Sequence, residues 1–188
     1  MRGSIPLADY PGGLNLRATL ESGQSYVWRR LDGTTYGEGS GDGWYYAVPD
    51  GEFLKIRVRE DEVPILEWEA TTDADALLHE RLRLGDDLHA IRATAPDDTV
   101  VQRAYDRFWG LRIVSDPFFP TLISFICSAQ MRVQRIHEMQ NALRETYGPA
   151  VTVDGETYHG FPTPETLAAT TETALRDLGL GYRAPYVQ

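Results

Sequence analysis

Hydrophobic and polar positions change their period along this chain. Leu14, Leu16, Ala18 and Leu20 alternate with Asn15, Arg17 and Thr19, the period of a strand with one buried face. Four further short runs, over 25–30, 34–37, 44–48 and 53–58, are separated by Asp32-Gly33, the glycines of 39–43 and Pro49-Asp50-Gly51. Those gaps are turn chemistry, so 14 to about 58 reads as an antiparallel, hairpin-rich sheet. From about residue 73 the period becomes helical. A short helix is predicted over 73–83 with Leu77, Leu78 and Leu82 inward, and another from Asp86-Asp87 to about Ile91. Asp97-Asp98 precedes a third, on which Val101, Tyr105 and Phe108 share a face.

After Asp116-Pro117 come two longer helices, the second with Ile136, Met139 and Leu143 on one stripe and Gly148 as its cap glycine. Thr163-Pro164-Glu165 reads as an N-cap with proline at the first helical position, and 171–178 as a short helix closed by Gly179. Residues 181–188 look like the opening turn of one more. The fold class that follows is α+β: an N-terminal antiparallel sheet domain over 1–98 and an all-helical part over 99–188, without repeats or low-complexity segments.

Composition narrows this. A chain of 188 residues with 4 Trp, 10 Tyr and 6 Phe can bury a real core. No apolar run approaches the ~20 residues of a membrane span, and residues 1–10 carry no apolar block of a secretory leader, so a cytoplasmic protein without a membrane partner is expected. Cys127 is the only cysteine, which excludes an internal disulfide and a multi-cysteine zinc site; set among Leu122, Phe125 and Ile126, it reads as a small buried thiol. The net charge of −10 argues against a global positive field for nucleic acid. Of the 18 basic residues, however, only Lys55 is a lysine, and acids gather at Glu60-Asp61-Glu62 and Asp86-Asp87. An acidic surface that keeps arginines at selected places fits adaptation to high salt, and any DNA affinity would rest on local arginines.

The candidate chemistry lies in Leu122-Ile-Ser-Phe-Ile-Cys-Ser-Ala-Gln130 and the helix that follows, with Arg132, Arg135 and Ile136. An apolar helix ending in Ser128-Ala129-Gln130 presents a polar tip, and Arg135 lies one turn further on. A neutral amide and a cation converging there suit a nucleobase beside its phosphate; an ordinary helix–turn–helix corner fits the same residues.

Three segments together resemble the 8-oxoguanine DNA glycosylase/AP lyase family of the helix-hairpin-helix DNA glycosylase superfamily. They are Ser22-Gly-Gln-Ser-Tyr-Val-Trp-Arg29; Phe125-Ile-Cys-Ser-Ala-Gln130 with Arg135-Ile136; and Thr157-Tyr-His-Gly-Phe-Pro162 with Leu178-Gly-Leu-Gly-Tyr-Arg-Ala184. The resemblance runs from about residue 14 to the last residue and implies a TATA-binding-protein-like β-rich domain followed by the first part of a helical glycosylase domain. It implies removal of 8-oxoguanine opposite cytosine in base-excision repair, with damaged double-stranded DNA as partner, no cofactor, a monomer when intact and a nucleoid-associated location.

By the same resemblance, Gly23 supplies the carbonyl that accepts the N7 proton of 8-oxoguanine, and normal guanine presents a repelled lone pair there. Gln130 stands where the family fills the gap left by the flipped base, commonly with asparagine. Arg135 and Arg183 match the two arginines that grip the orphaned cytosine, and their forks suit its N3 and O2 acceptors. Tyr182 matches the aromatic wedge, and Tyr26 an aromatic near the lesion pocket; His159 and Trp28 read as structural.

The departure is in the chemistry. The family's Schiff-base lysine and distant aspartate have no match here; Lys55 sits in a predicted strand and reads as exposed. The chain is therefore expected to be truncated before the helix-hairpin-helix, to hold no catalytic residue and to be inactive alone. A non-catalytic lesion- or orphan-base-binding protein is the alternative, an acidic interaction module without a DNA role a third reading, and an alkylbase glycosylase a related enzyme reading.

Overall fold

The computed structural model describes residues 1–34, 43–60 and 62–188. It divides into two compact units interleaved in sequence: unit 1 is Met1–Ser25, Arg30–Tyr45 and Lys55–Ser115, and unit 2 is Tyr26–Arg29, Tyr46–Leu54 and Asp116–Gln188.

The strands of the larger sheet are β1 (Arg2–Pro6), β2 (Arg29–Arg30), β3 (Tyr45–Ala47), β4 (Leu54–Arg59) and β5 (Ile65–Ala70), in the order β1-β5-β4-β3-β2. β1 pairs antiparallel with β5, Arg2 opposite Glu69 and Pro6 opposite Ile65. Ile5, Leu66 and Trp68 are buried on the sheet's inner face, in step with the period-two pattern of β5. The Trp68 indole N–H donates to Asp75 at 3.1 Å, tying the sheet to α2 (Asp75–Arg81).

Two sequence expectations need correction here. Residues 14–20 do not form a strand. They contain α1 (Leu16–Leu20), because Asn15 caps it: its side chain accepts from the Ala18 amide at 3.0 Å while Thr19 Oγ1 donates to the Asn15 carbonyl at 2.7 Å. The buried set is Leu16, Thr19 and Leu20, a helical spacing that the coincidental alternation of Leu14 to Leu20 conceals. Of the strand expected over 25–30 only Arg29–Arg30 forms. One main-chain acceptor of that stretch, the Tyr26 carbonyl, is taken by the Arg144 guanidinium at 2.6 Å. The run expected over 34–37 lies, beyond Thr34, outside the described residues.

The remaining helices of unit 1 follow their caps. Asp87 accepts from the His89 and Ala90 amides at the start of α3 (Leu88–Ala93), and Asp98 from the Val100 and Val101 amides at the start of α4 (Thr99–Arg107). Arg112 is 1 % exposed and has no carboxylate at hydrogen-bonding distance among its described contacts. Its guanidinium instead donates to the carbonyls of Gly13 (2.8 Å), Arg83 (2.7 Å), Asp86 (3.0 Å) and Pro11 (3.2 Å), fastening three loops at one point. Lys55 in β4 is not an exposed lysine. Its ammonium pairs with Glu69 at 3.1 Å and lies 4.7 Å from the Trp44 ring centre.

Unit 2 is built on α5 (Phe118–Ser128) and α6 (Val133–Tyr147), followed by α7 (Pro164–Ala168), α8 (Glu172–Leu175) and α9 (Ala184–Val187). Its core gathers Ile123, Cys127, Ile136, Met139, Leu143, Leu167, Leu175, Leu180, Ala184 and Val187. Thr163 caps α7 through the Thr166 amide, with Pro164 at the first position, as its sequence predicts. Gly148 does follow α6, but with φ −78°, so it is no left-handed cap; a Cβ there would strike the carbonyl oxygens of Gly160 and Arg144. The expectation of an all-helical C-terminal part is overturned by a hairpin, β6 (Ala150–Val153) and β7 (Glu156–His159), turning at Asp154-Gly155, both at positive φ. The Asp-Gly signature of a two-residue hairpin is plain in the sequence. No helix of the described residues is long and apolar enough to cross a membrane.

Candidate nucleic-acid interface

Four of the six residues singled out in the sequence come together on unit 2, where the turn between α5 and α6 meets the turn before α9. α5 ends at Ser128, whose hydroxyl donates to the Phe125 carbonyl at 2.8 Å, and Ala129 is its C-cap. Gln130 follows at φ +56°, a left-handed conformation uncommon for a side chain larger than glycine or asparagine, and stands exposed. The Met131 amide closes that turn on the Ser128 carbonyl at 3.1 Å, and Arg132 opens α6. A conformation of this kind persists where surrounding structure holds it.

The surrounding structure is the second turn. Tyr182 donates its hydroxyl to the Ala129 carbonyl at 3.3 Å, and the Arg183 guanidinium donates to the same oxygen. Arg183 is 2 % exposed and stacks its guanidinium 4.3 Å from the Tyr182 ring centre, whereas the tyrosine itself is 54 % exposed. Tyr182 is thus a half-exposed ring whose hydroxyl is tied to Ala129 and against which a buried cation is stacked. Arg135, half-exposed on α6, pairs with Glu138 at 2.7 Å one turn along. Its guanidinium also rests against Gly179 of the facing turn, so closely that a Cβ on that glycine would overlap Nη2.

Around this surface lie several exposed apolar side chains: Phe125 (69 %), Tyr186 (71 %), Met131 and Val133. Val187, by contrast, is packed in the core at 5 %.

Tyr26 belongs to unit 2 but sits deeper, half-buried, its ring 4.7 Å from that of His137. Burial raises its phenol pKa. Burial, then the cations of Arg144 and Arg29, pull His137 down to about 4, so it is neutral at physiological pH. Burial pushes the Cys127 thiol up to about 11, against the opposing pull of Arg183, which makes it an inert core residue as its setting in the sequence suggests. Trp28 is buried, and the His159 carbonyl accepts from Arg29 at 2.8 Å.

Gly23 lies in unit 1 and is described there alone. Its φ is +84° and a Cβ would meet nothing within 4 Å, so glycine is favoured there by the backbone and not by crowding. The turn is pinned by the next residue: Gln24 donates to the Thr19 and Arg112 carbonyls, both at 2.8 Å, and accepts from the Val114 amide at 3.0 Å. Sequence reasoning missed the Ala129 carbonyl as a shared anchor, and it missed Gly179. The latter was signalled by its place in Leu178-Gly-Leu-Gly-Tyr182; the former is main chain and leaves no signal.

Comparison with known proteins bears on this surface. The family model described as the 8-oxoguanine DNA glycosylase N-terminal domain matches residues 7–122, and that of the HhH-GPD superfamily base excision DNA repair proteins matches 123–188. An N-glycosylase/DNA lyase of Saccharomyces cerevisiae is 35% identical, the match covering 93% of this chain and 48% of that protein. A probable N-glycosylase/DNA lyase of Methanothermobacter thermautotrophicus is 34% identical over 113 residues, covering 49% of this chain and 36% of that one. The chain spans about half the length of the yeast relative. Among solved structures, MBOgg1 in complex with a low-affinity DNA ligand superposes with a TM-score of 0.81 at 25% identity, over 99% of this chain and 60% of that one. The 8-oxoguanine glycosylase/lyase of Clostridium acetobutylicum gives 0.77 at 23% over 93% and 57%, a likeness of fold.

Proposed function

The chain belongs to the 8-oxoguanine DNA glycosylase family, and on that premise we propose that the intact protein removes 8-oxoguanine opposite cytosine from duplex DNA and cleaves the resulting abasic strand. The observation that carries the proposal is the convergence of Gln130, Arg135, Tyr182 and Arg183 on two adjoining turns of one unit.

Each group has a task in that reading. Tyr182, exposed and with its hydroxyl tied to Ala129, presents its ring as the wedge beside the extruded base. Gln130, pushed outward by its backbone, fills the vacated space. Arg135 presents a fork to N3 and O2 of the orphaned cytosine. Arg183 is buried against Ala129 in this structure, so in the same reading it grips cytosine only after its bond to that carbonyl is exchanged. Tyr26 lies towards the lesion pocket, and the Gly23 carbonyl tests for the N7 proton. DNA affinity rests on these local groups, since the net charge is −10. Such a substrate puts the protein at the nucleoid.

Chemistry is not assigned to these 188 residues. The single lysine, Lys55, is held between Glu69 and Trp44 in a strand. The N-terminal ammonium bonds to the Ala70 carbonyl. Neither is presented as a nucleophile for a sugar carbon. The test compares borohydride trapping on duplex carrying 8-oxoguanine opposite cytosine. The intact protein yields a covalent adduct and releases the base; the 188-residue chain yields none. An adduct with the short chain would contradict the assignment, and so would failure of the intact protein to release the base.

A further inference from the structure

We propose that Gly179 is a positioning residue for Arg135, and that through it the turn before Tyr182 sets the preference for cytosine opposite the lesion. The proposal rests on the reading of Arg135 given above.

Gly179 sits inside the wide turn Arg176–Leu180, at φ +88° and ψ 13°, between residues of helical backbone. That conformation alone does not demand glycine, because asparagine and aspartate also enter the left-handed region. Space does. A Cβ built on Gly179 would overlap Nη2 of Arg135 and stand 3.5 Å from its Cζ, and beyond its own chain neighbours and local helix backbone no other heavy atom of the described residues lies within 4 Å. The bare Cα face is a shelf for one guanidinium. On the far side the same guanidinium is fixed by Glu138, which accepts from Nη1 at 2.7 Å.

Each contact does what the other cannot. An exposed ion pair between neighbours on one helix holds a long side chain loosely. A steric shelf on a second element turns that loose rotor into a planar fork with a defined orientation, and bidentate reading of a base edge depends on orientation. The shelf lies three residues before Tyr182, so wedge and reader are registered to each other through one short turn. Because the overlapping atom is the tip of a flexible side chain, a methyl group at 179 displaces the fork without requiring the core to move.

The experiment is a binding titration of the 188-residue chain with duplexes holding a stable abasic-site analogue opposite cytosine, adenine or thymine. Gly179→Ala is expected to reduce the preference for cytosine by roughly tenfold, with affinity for undamaged duplex retained. Gly155→Ala is the control, since Gly155 has φ +85°, nothing within 4 Å of an added Cβ, and lies in the β6–β7 turn. It incurs comparable backbone strain and should leave the preference unchanged. In the Arg135→Ala background, Gly179→Ala should have no further effect on the preference. An unchanged cytosine preference in Gly179→Ala, with the preference lost in Arg135→Ala, overturns the role of Gly179 alone. A preference that survives Arg135→Ala sinks the reading on which it rests. Should Gly179→Ala fail to fold, adding Arg135→Ala restores folding if the contact is the cause, and continued unfolding overturns the proposal.

Discussion

Arg183 donates to the main-chain carbonyl of Ala129, the residue immediately before the left-handed Gln130. One buried cation therefore fastens the turn that carries Tyr182 to the turn that carries Gln130. This distinguishes the two arginines of the surface, Arg183 buried at 2 % and Arg135 half-exposed and paired with the neighbouring Glu138 carboxylate.

The two should separate by experiment. Arg183→Ala removes a charge-assisted bond and a stack on Tyr182 from a buried place, and should lower stability by about 2–4 kcal/mol in urea unfolding. Arg135→Ala should leave stability within about 0.5 kcal/mol, as exposed ion pairs contribute little. It should weaken binding to an abasic site opposite cytosine by about 1–3 kcal/mol. Equal stability losses in the two variants would contradict this division of labour.

Acid should reveal His137. Its folded pKa is depressed to about 4 from 6.5, by burial first and by Arg144 and Arg29 after it. The unfolded chain takes up that proton at the higher value, so below pH 6.5 the unfolded state binds more protons. The stabilisation is complete above that pH and is lost as pH falls towards 4, by roughly 3 kcal/mol at most. His137→Gln should flatten the pH dependence of unfolding between pH 6.5 and 5, before most carboxylates titrate. An unaltered slope there would show that the imidazole is not held neutral.

Much of unit 2 was legible in its sequence because caps and stripes are local: Thr163-Pro164, the Ile136-Met139-Leu143 face and the Ser128-Ala129-Gln130 helix end all appear as expected. The errors had two sources: local signals overlooked, as at Asn15 and at the Asp154-Gly155 turn, and distant partners that the sequence does not display. Alternation over 14–20 suggests a strand until Asn15 is seen capping a helix, and the backbone at Tyr26 stays irregular because Arg144, 118 residues away, takes its carbonyl. β1 was not anticipated, since five residues Arg2–Pro6 show no pattern until β5 lies beside them. Within the candidate site, the sequence names the side chains that the structure brings together, but the shared Ala129 carbonyl and the shelf at Gly179 exist only once two turns meet.

Unit 1 has its own dependence on one residue. Arg112→Met keeps the aliphatic stem yet leaves the carbonyls of Pro11, Gly13, Arg83 and Asp86 without their donor. The variant should lose at least about 3 kcal/mol by chemical denaturation. A midpoint unchanged within error would mean that water replaces the guanidinium at little cost.

Cys127 should resist modification. It is fully buried with its thiol pushed up to about 11, so a disulfide reagent should label the native chain only at the rate of unfolding. Rapid labelling without denaturant would place the thiol at the surface and contradict the packing of α5.

The central claim is that this chain carries the reader of an orphaned cytosine. Its most direct test is the dissociation constant of the 188-residue chain for duplex with an abasic-site analogue opposite cytosine, against the same site opposite adenine and against undamaged duplex, all at one salt concentration. Tightest binding opposite cytosine, with the advantage lost in Arg135→Ala, is the predicted result. Equal affinity for all three duplexes would contradict it.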